Sequence, residues 1–109
     1  MKDYSAMSDQ QINRLVAAAA SMEYGAHYMG DIVVLRDNRW VVFDPCNNPA
    51  DAWQIIESSY ISIQFYQGNW MASVNPSQES GYRSACFIGK NPLKAAMVVF
   101  LMMKESEND

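Results

Sequence analysis

A chain of 109 residues that is half apolar and 12% aromatic has the size and composition of one globular domain with a core of its own, so neither an unfolded segment nor a disulfide-stapled fold is expected. Its formal charge of -4 and isoelectric point near 4.8, with eight basic residues scattered along its length, exclude the basic stripe on which nucleic-acid binding rests and leave basic proteins as partners. Two cysteines are too few for the bridge framework of a small secreted domain and point to reduced thiols in a cytosol.

The opening MKDYSAMSDQ holds no apolar stretch of the signal-peptide kind. It does hold a helix start. Ser8 is a good N-cap, Gln11 stands at the capping-box spacing, and Met7 and Ile12 take the two positions of a hydrophobic staple. Ile12, Leu15, Val16, Ala19 and Met22 follow at helical spacing, and Gly25 stands where a left-handed cap would close the helix, which is predicted over 8–24.

DIVVLRDNRWVVFD, 31–44, reads as a hairpin of two short strands around a tight turn at Asp37 and Asn38. DPCNNPADAW, 44–53, then crowds a thiol, amides, a carboxylate and an indole together. It admits three readings: a cysteine active site, a ligand cradle, or a helix start. For the last, Asn48 caps a helix whose first residue is Pro49, and Asp51 favours the positive helix end. Ala52, Trp53, Ile55 and Ile56 supply its apolar side, with Trp53 expected to anchor it to the sheet.

YISIQFYQGNWMASV, 60–74, is a second hairpin. Ile61, Ile63 and Phe65 alternate with polar positions and with Tyr60 and Tyr66, and Gly68-Asn69 is the expected turn. The polar segment 75–84 reads as a loop and ACFI as a fifth strand. The last helix is capped by Asn91, opens on Pro92 and is predicted to run to about Lys104, before a polar tail over 105–109. The run AAMVVFLMM within it falls well short of the roughly 20 residues that cross a bilayer, so it belongs inside protein and no membrane is expected. Asn-Pro recurs at 48–49 and 91–92, a shared way of starting a helix and not by itself a duplication.

The order α-ββ-α-ββ(β)-α defines an α+β domain over 1–109, with a mainly antiparallel sheet of four or five strands packed with three helices. Leu93, Met97, Phe100 and Leu101 would suffice for one buried stripe. Val98, Val99, Met102 and Met103 make the last helix apolar nearly all round, which calls for cover on both sides or for a subunit interface, and a homodimer is expected.

Cys46 and His27 are the one conceivable thiol and imidazole pair, with Asn47 or Asp44 as an orienting group. The local signatures of nucleophilic cysteines are absent, and no enzyme activity is expected. With one histidine and two distant cysteines, neither a metal nor another cofactor is expected. Gly89 and Lys90 precede a helix start that would favour a small anion, although the phosphate-loop pattern is missing. The candidate binding residues are therefore Asn47, Asn48, Trp53, Trp70, Tyr82, Lys90 and Asn91, while at least two of the three tryptophans are expected to be mostly buried.

DYSAMSDQQIN, CNNPADAWQII, NWMAS and NPLKAAMVVFLMMKE, taken in order, make the chain resemble the NinX-like proteins of lambdoid phages. The resemblance implies a phage or prophage accessory protein in the cytoplasm of an infected bacterium and carries over no catalytic residue. The expected function is non-enzymatic binding of a host or phage macromolecule. Sequestration of a nucleotide-like ligand is the alternative, and a Cys46-dependent enzyme comes third.

Overall fold

The computed structural model describes residues 3–27, 29–74 and 85–107. Its elements are a 3-10 turn at Tyr4–Ala6, then α1 (Asp9–Ala19), β1 (Tyr24–Ala26), β2 (Ile32–Arg36), β3 (Arg39–Val42), α2 (Pro49–Ser58), β4 (Ser62–Tyr66), β5 (Asn69–Val74), β6 (Ala85–Gly89) and α3 (Pro92–Glu107). The described strands form two antiparallel sheets of three, sheet A in the order β1-β2-β3 and sheet B in the order β4-β5-β6. The α+β class and the three helices stand. The expected single sheet of four or five strands is replaced by two sheets, because β1 completes the first and β6 the second. The segment 75–84 and Tyr82 lie outside the described residues.

Local signals act as their chemistry dictates. Ser8 accepts from the Gln11 N–H at 3.2 Å while the Gln11 side chain accepts from the Ser8 N–H at 2.7 Å, closing the capping box. Asp37 and Asn38, with φ of 53° and 63°, form the two-residue turn that matches strand twist. The second hairpin turns one residue earlier than expected, at Gln67 (φ 52°) and Gly68 (φ 81°), so Tyr66 pairs with Asn69 and Phe65 with Trp70.

α1 stops five residues short of the expected end. The Ser21 N–H donates to the Ala18 carbonyl and the Met22 N–H to the Ala17 carbonyl, a Schellman closure with Ser21 at φ 60° in the left-handed position. Gly25 is no cap. It pairs with Val33 in β1, a strand too short to carry a readable alternation. α2 closes the same way, with bonds from Tyr60 to Glu57 and from Ile61 to Ile56, and Tyr60 at φ 57°.

α3 organises the core. Residues 95–101 and Met103 are all buried, with β5 and β6 on one side and α1 and α2 on the others. The helix is thus covered within one chain, so its apolar circumference is no argument for a subunit interface. It also runs to Glu107, into what reads as a tail. Ile12, Val16 and Ala17 of α1 and Ile32 and Val34 of β2 join the same core. The tryptophans contradict expectation: Trp40 and Trp53 are 54% and 57% exposed, and Trp70 is half-buried edge-on to Phe65 at 5.1 Å. Trp53 therefore does not anchor α2 to a sheet. The smaller Ala52, Ile55 and Ile56 do the packing.

Tyr60 is 86% exposed, so its ring contributes no burial to offset a left-handed backbone. Tyr60→Gly is expected to stabilise the fold by about 0.5 to 1 kcal/mol, the left-handed penalty less the extra chain entropy a glycine loses. A rise in the urea midpoint at unchanged slope is the measure, and a fall would contradict the argument.

Candidate functional site

The segment 44–48 joins β3 to α2 and is buried at Pro45 and Cys46, so its backbone groups must find partners inside the protein. Asn13, 3% exposed on α1, supplies one of them, its Oδ1 accepting from the Cys46 N–H at 3.2 Å, while its Nδ2 donates to the side-chain Oδ1 of Asp44 at 2.8 Å. Asn91 supplies a second, donating from Nδ2 to the Cys46 carbonyl at 2.7 Å. Its Oδ1 meanwhile accepts from the N–H groups of Leu93 and Lys94, capping α3. Asp51, also buried, accepts from the Asp44 N–H at 3.0 Å and lies 3.8 Å from the Arg36 guanidinium.

The outer layer of this seam is charged. Asn47 Nδ2 donates to Asp9 Oδ2 at 3.0 Å and to both Asp44 oxygens, while Lys94 Nζ meets Asp9 Oδ1 at 3.0 Å and the Met7 carbonyl at 2.9 Å. A cleft of about 250 Å³ opens above it, lined by Asp9, Gln10, Asn13, Asp31, Ile32, Val42, Phe43, Asp44 and Asn47. The hydrogen bond from Asn47, and then that from Lys94, hold the Asp9 carboxyl below its ordinary value of 3.8 against an opposing effect of burial. Three carboxylates make the cleft a place for a cation or a basic group. A phosphate would meet repulsion there.

Cys46 is wholly buried, and burial pushes its thiol up to about 12, with Asp9 and Asp44 adding to the rise and Lys94 opposing it. Such a group is a neutral thiol at physiological pH and a poor nucleophile. Its Sγ lies 3.8 Å from the Asp9 carbonyl. His27 belongs to the β1–β2 loop, where its Nδ1 accepts from the Met29 N–H at 3.4 Å. Among the described residues no group of three or more His, Cys, Asp or Glu is placed to hold a metal ion.

The candidate binding residues disperse in the fold. Asn47 lines the acidic cleft. Asn48 is spent capping α2 through the Ala50 N–H, and Asn91 is spent on α3 and on Cys46. Lys90 reaches the Gly68 carbonyl at 3.4 Å. Trp70 packs on Phe65, Trp53 stands exposed on α2, and Tyr82 is outside the described residues. Two other shallow clefts run along α1, about 340 Å³ beside Met7, Arg14 and Tyr24 and about 300 Å³ beside Tyr4 and Leu101, and none of the six described candidates lines them. Asn13 and Asp51 escaped sequence reasoning. The available signal was that Asn13 shares the helical spacing of Val16 and Ala17, which puts an amide on a buried stripe.

These features define a small α+β protein in which one three-stranded antiparallel sheet and two helices enclose a third helix, while a second three-stranded sheet packs on the first helix, with a polar seam where the helix starts meet. The family model described as Bacteriophage P22, NinX matches residues 3–104, and the chain belongs to that phage family. No curated protein matches it. Among the described residues no helix is long and apolar enough to cross a membrane.

Two measurements probe the seam. The native protein is expected to give one fast-reacting thiol, the exposed Cys86, and a second on unfolding, and rapid modification of Cys46 in the native state would contradict its burial. A depressed carboxyl contributes stability that is complete above its unfolded value and is lost as pH falls through the folded one. Asp9 should therefore stabilise the fold fully above about pH 4 and lose that contribution progressively as pH falls below 3.8 and through its lowered folded value. Asn47→Ala should move the Asp9 titration upward in a carboxyl-carbon NMR experiment, and an unmoved curve would remove Asn47 as the main cause.

Proposed function

We propose that this NinX-family chain is a non-enzymatic accessory protein of the infected bacterial cytoplasm that acts by binding a host or phage protein. The observation that carries this reading is a contrast. Among the described residues no buried polar side-chain atom lacks a partner, and the crowded segment around Cys46 spends its groups on holding the chain together. Large side chains on the outside have no such task.

The outer face of sheet B suits a protein partner. The face opposite Ala72 and Val74 carries Gln64, Met71 and Ile88 in one cross-strand row and Ser62, Ser73 and Cys86 in the next, with Tyr66 beside them. Tyr66 and Ile88 are each 55% exposed. An aromatic and aliphatic centre with a polar surround, here serine and glutamine with Lys90 at the turn end, is the composition of an interface core. Sequestration of a nucleotide-like anion draws less support, because Asn48 and Asn91 occupy N–H groups at both helix starts and the seam's cleft is acidic.

Tagged chain recovered from phage-infected cells is expected to bring down a discrete protein, and Ile88→Asp with Tyr66→Ala should abolish that recovery while leaving the melting temperature within a few degrees. Recovery of nothing above background, together with a thermal shift by millimolar nucleotide, would favour the ligand reading. Loss of biological function in Cys46→Ala with the fold intact would favour an enzyme.

A further inference from the structure

The turn of a hairpin fixes which backbone groups of its strands face outward. Gln67 and Gly68, both at positive φ, make the two-residue turn of the second hairpin, so Tyr66 and Asn69 bond to each other through both main-chain groups. Antiparallel alternation then directs the N–H and C=O groups of Ser62 and Gln64 to β5, and those of Ile63 and Phe65 away from it. Sheet A shows what such groups take. Its hairpin turns at Asp37 and Asn38, Leu35 and Val33 hold the matching positions, and β1 fills them. The Leu35 N–H donates to the Glu23 carbonyl at 2.9 Å, and Val33 pairs with Gly25. β4 stands at the edge of sheet B, and among the described residues no strand lies on its outer side.

Edge strands are ordinarily guarded by charge, proline, bulges or brevity, and β4 carries none of these. From Ser58 to Val74 no residue is charged or a proline, and the register from Ser62 on Ser73 to Tyr66 on Asn69 is unbroken. α3 packs on β5 and β6 and barely reaches β4, four of whose five residues are exposed. By contrast β1 spans three residues, β3 opens on Arg39, and β6 runs into Lys90.

We propose that β4 pairs antiparallel with β4 of a second copy of the chain across a two-fold axis at Gln64, joining the two copies of sheet B into one sheet. The free backbone groups call for a strand, and β4 is complementary to itself. Ile63 and Phe65 lie symmetrically about Gln64, so each Ile63 bonds to the partner subunit's Phe65 and no outward group is left over. An axis at Ile63 would instead set Phe65 against Ile61, whose N–H is spent on the Ile56 carbonyl at 3.1 Å, and an axis at Phe65 would set Ile63 against the left-handed Gln67. At the axis two glutamine amides meet, each both donor and acceptor. Phe65, 58% exposed, gains an isoleucine across the strands. Two chains of formal charge -4 can also approach along this run without like charges at the contact. The paired edge is smaller than the roughly 800 Å² per partner of a standard interface, so the dimer is a micromolar one. It does not depend on a partner at the outer face of sheet B, and it runs the two copies of that face together.

Sedimentation equilibrium of the purified full chain is the test, with amide exchange as its local readout. Wild type is expected to pass from monomer to dimer between about 1 and 500 μM. The amides of Ile63 and Phe65 should gain protection over the same range, while those of Gln64 and Tyr66, bonded to β5, are protected throughout. Gln64→Lys and Gln64→Glu should each weaken the association at least tenfold through like charges at the axis, without loss of melting temperature because residue 64 is exposed. An equimolar mixture of the two variants should recover it as a mixed dimer. A wild type that stays monomeric throughout that range overturns the proposal, and protection of Ile63 and Phe65 only on addition of another protein would assign the edge to a foreign strand instead. A dimer indifferent to both charges at residue 64, or a mixture that recovers nothing, overturns it equally.

Discussion

A helix that is apolar nearly all round cannot border water on any side, and α3 imposes that condition on everything else. Sheet B alone could cover one side of it, so α1 and α2 must close the others. Each buried Val, Met or Leu along residues 95–103 contributes about 1.5 to 3 kcal/mol through removal from water, the largest block of apolar burial in the chain. Breaking this arrangement would expose the whole helix at once.

Enclosing α3 has a polar consequence. The first turns of α1, α2 and α3 come together, where Asp9 begins one helix, Asn48 caps the second, and Asn91 and Lys94 open the third. Helix starts carry free N–H groups and partial positive charge, and the carboxylates of Asp9, Asp44 and Asp51 gather there in response. Asn13 and Asn91 bind the Cys46 backbone from opposite sides, so the loop is held as firmly as a core strand. The chemical crowding at 44–53 is the solution to a packing problem. Its thiol is kept neutral by the same burial that makes the loop rigid.

With the interior so committed, the surfaces that remain for recognition are sheet faces. Sheet A and sheet B each turn one face to the core and one outward, and the two outward faces differ in kind. That of sheet A carries Val33, Leu35, Trp40 and Val42 with Glu23 beside Leu35, whereas that of sheet B mixes Tyr66, Met71 and Ile88 with serine and glutamine.

The residues that were legible in the sequence act on neighbours three or four positions away. Ser8 with Gln11, Asn48 with Pro49, Asn91 with Pro92, and Asp37 with Asn38 each satisfy a local backbone requirement, and all four occur as read. The apolar circumference of α3 showed that it needed cover on every side, but not whether its own chain or a second subunit would supply it. Tertiary structure alone decided what encloses it, that the strands divide into two sheets, and that α1 ends at Ala19 so that β1 can pair with β2. It alone decided the partners of Asn13 and Asp51 and the exposure of Trp40 and Trp53. The reason is range: a cap or a turn is settled by hydrogen bonds within one turn of chain, whereas a side chain's burial depends on elements 30 or more residues away, whose arrival no local pattern records.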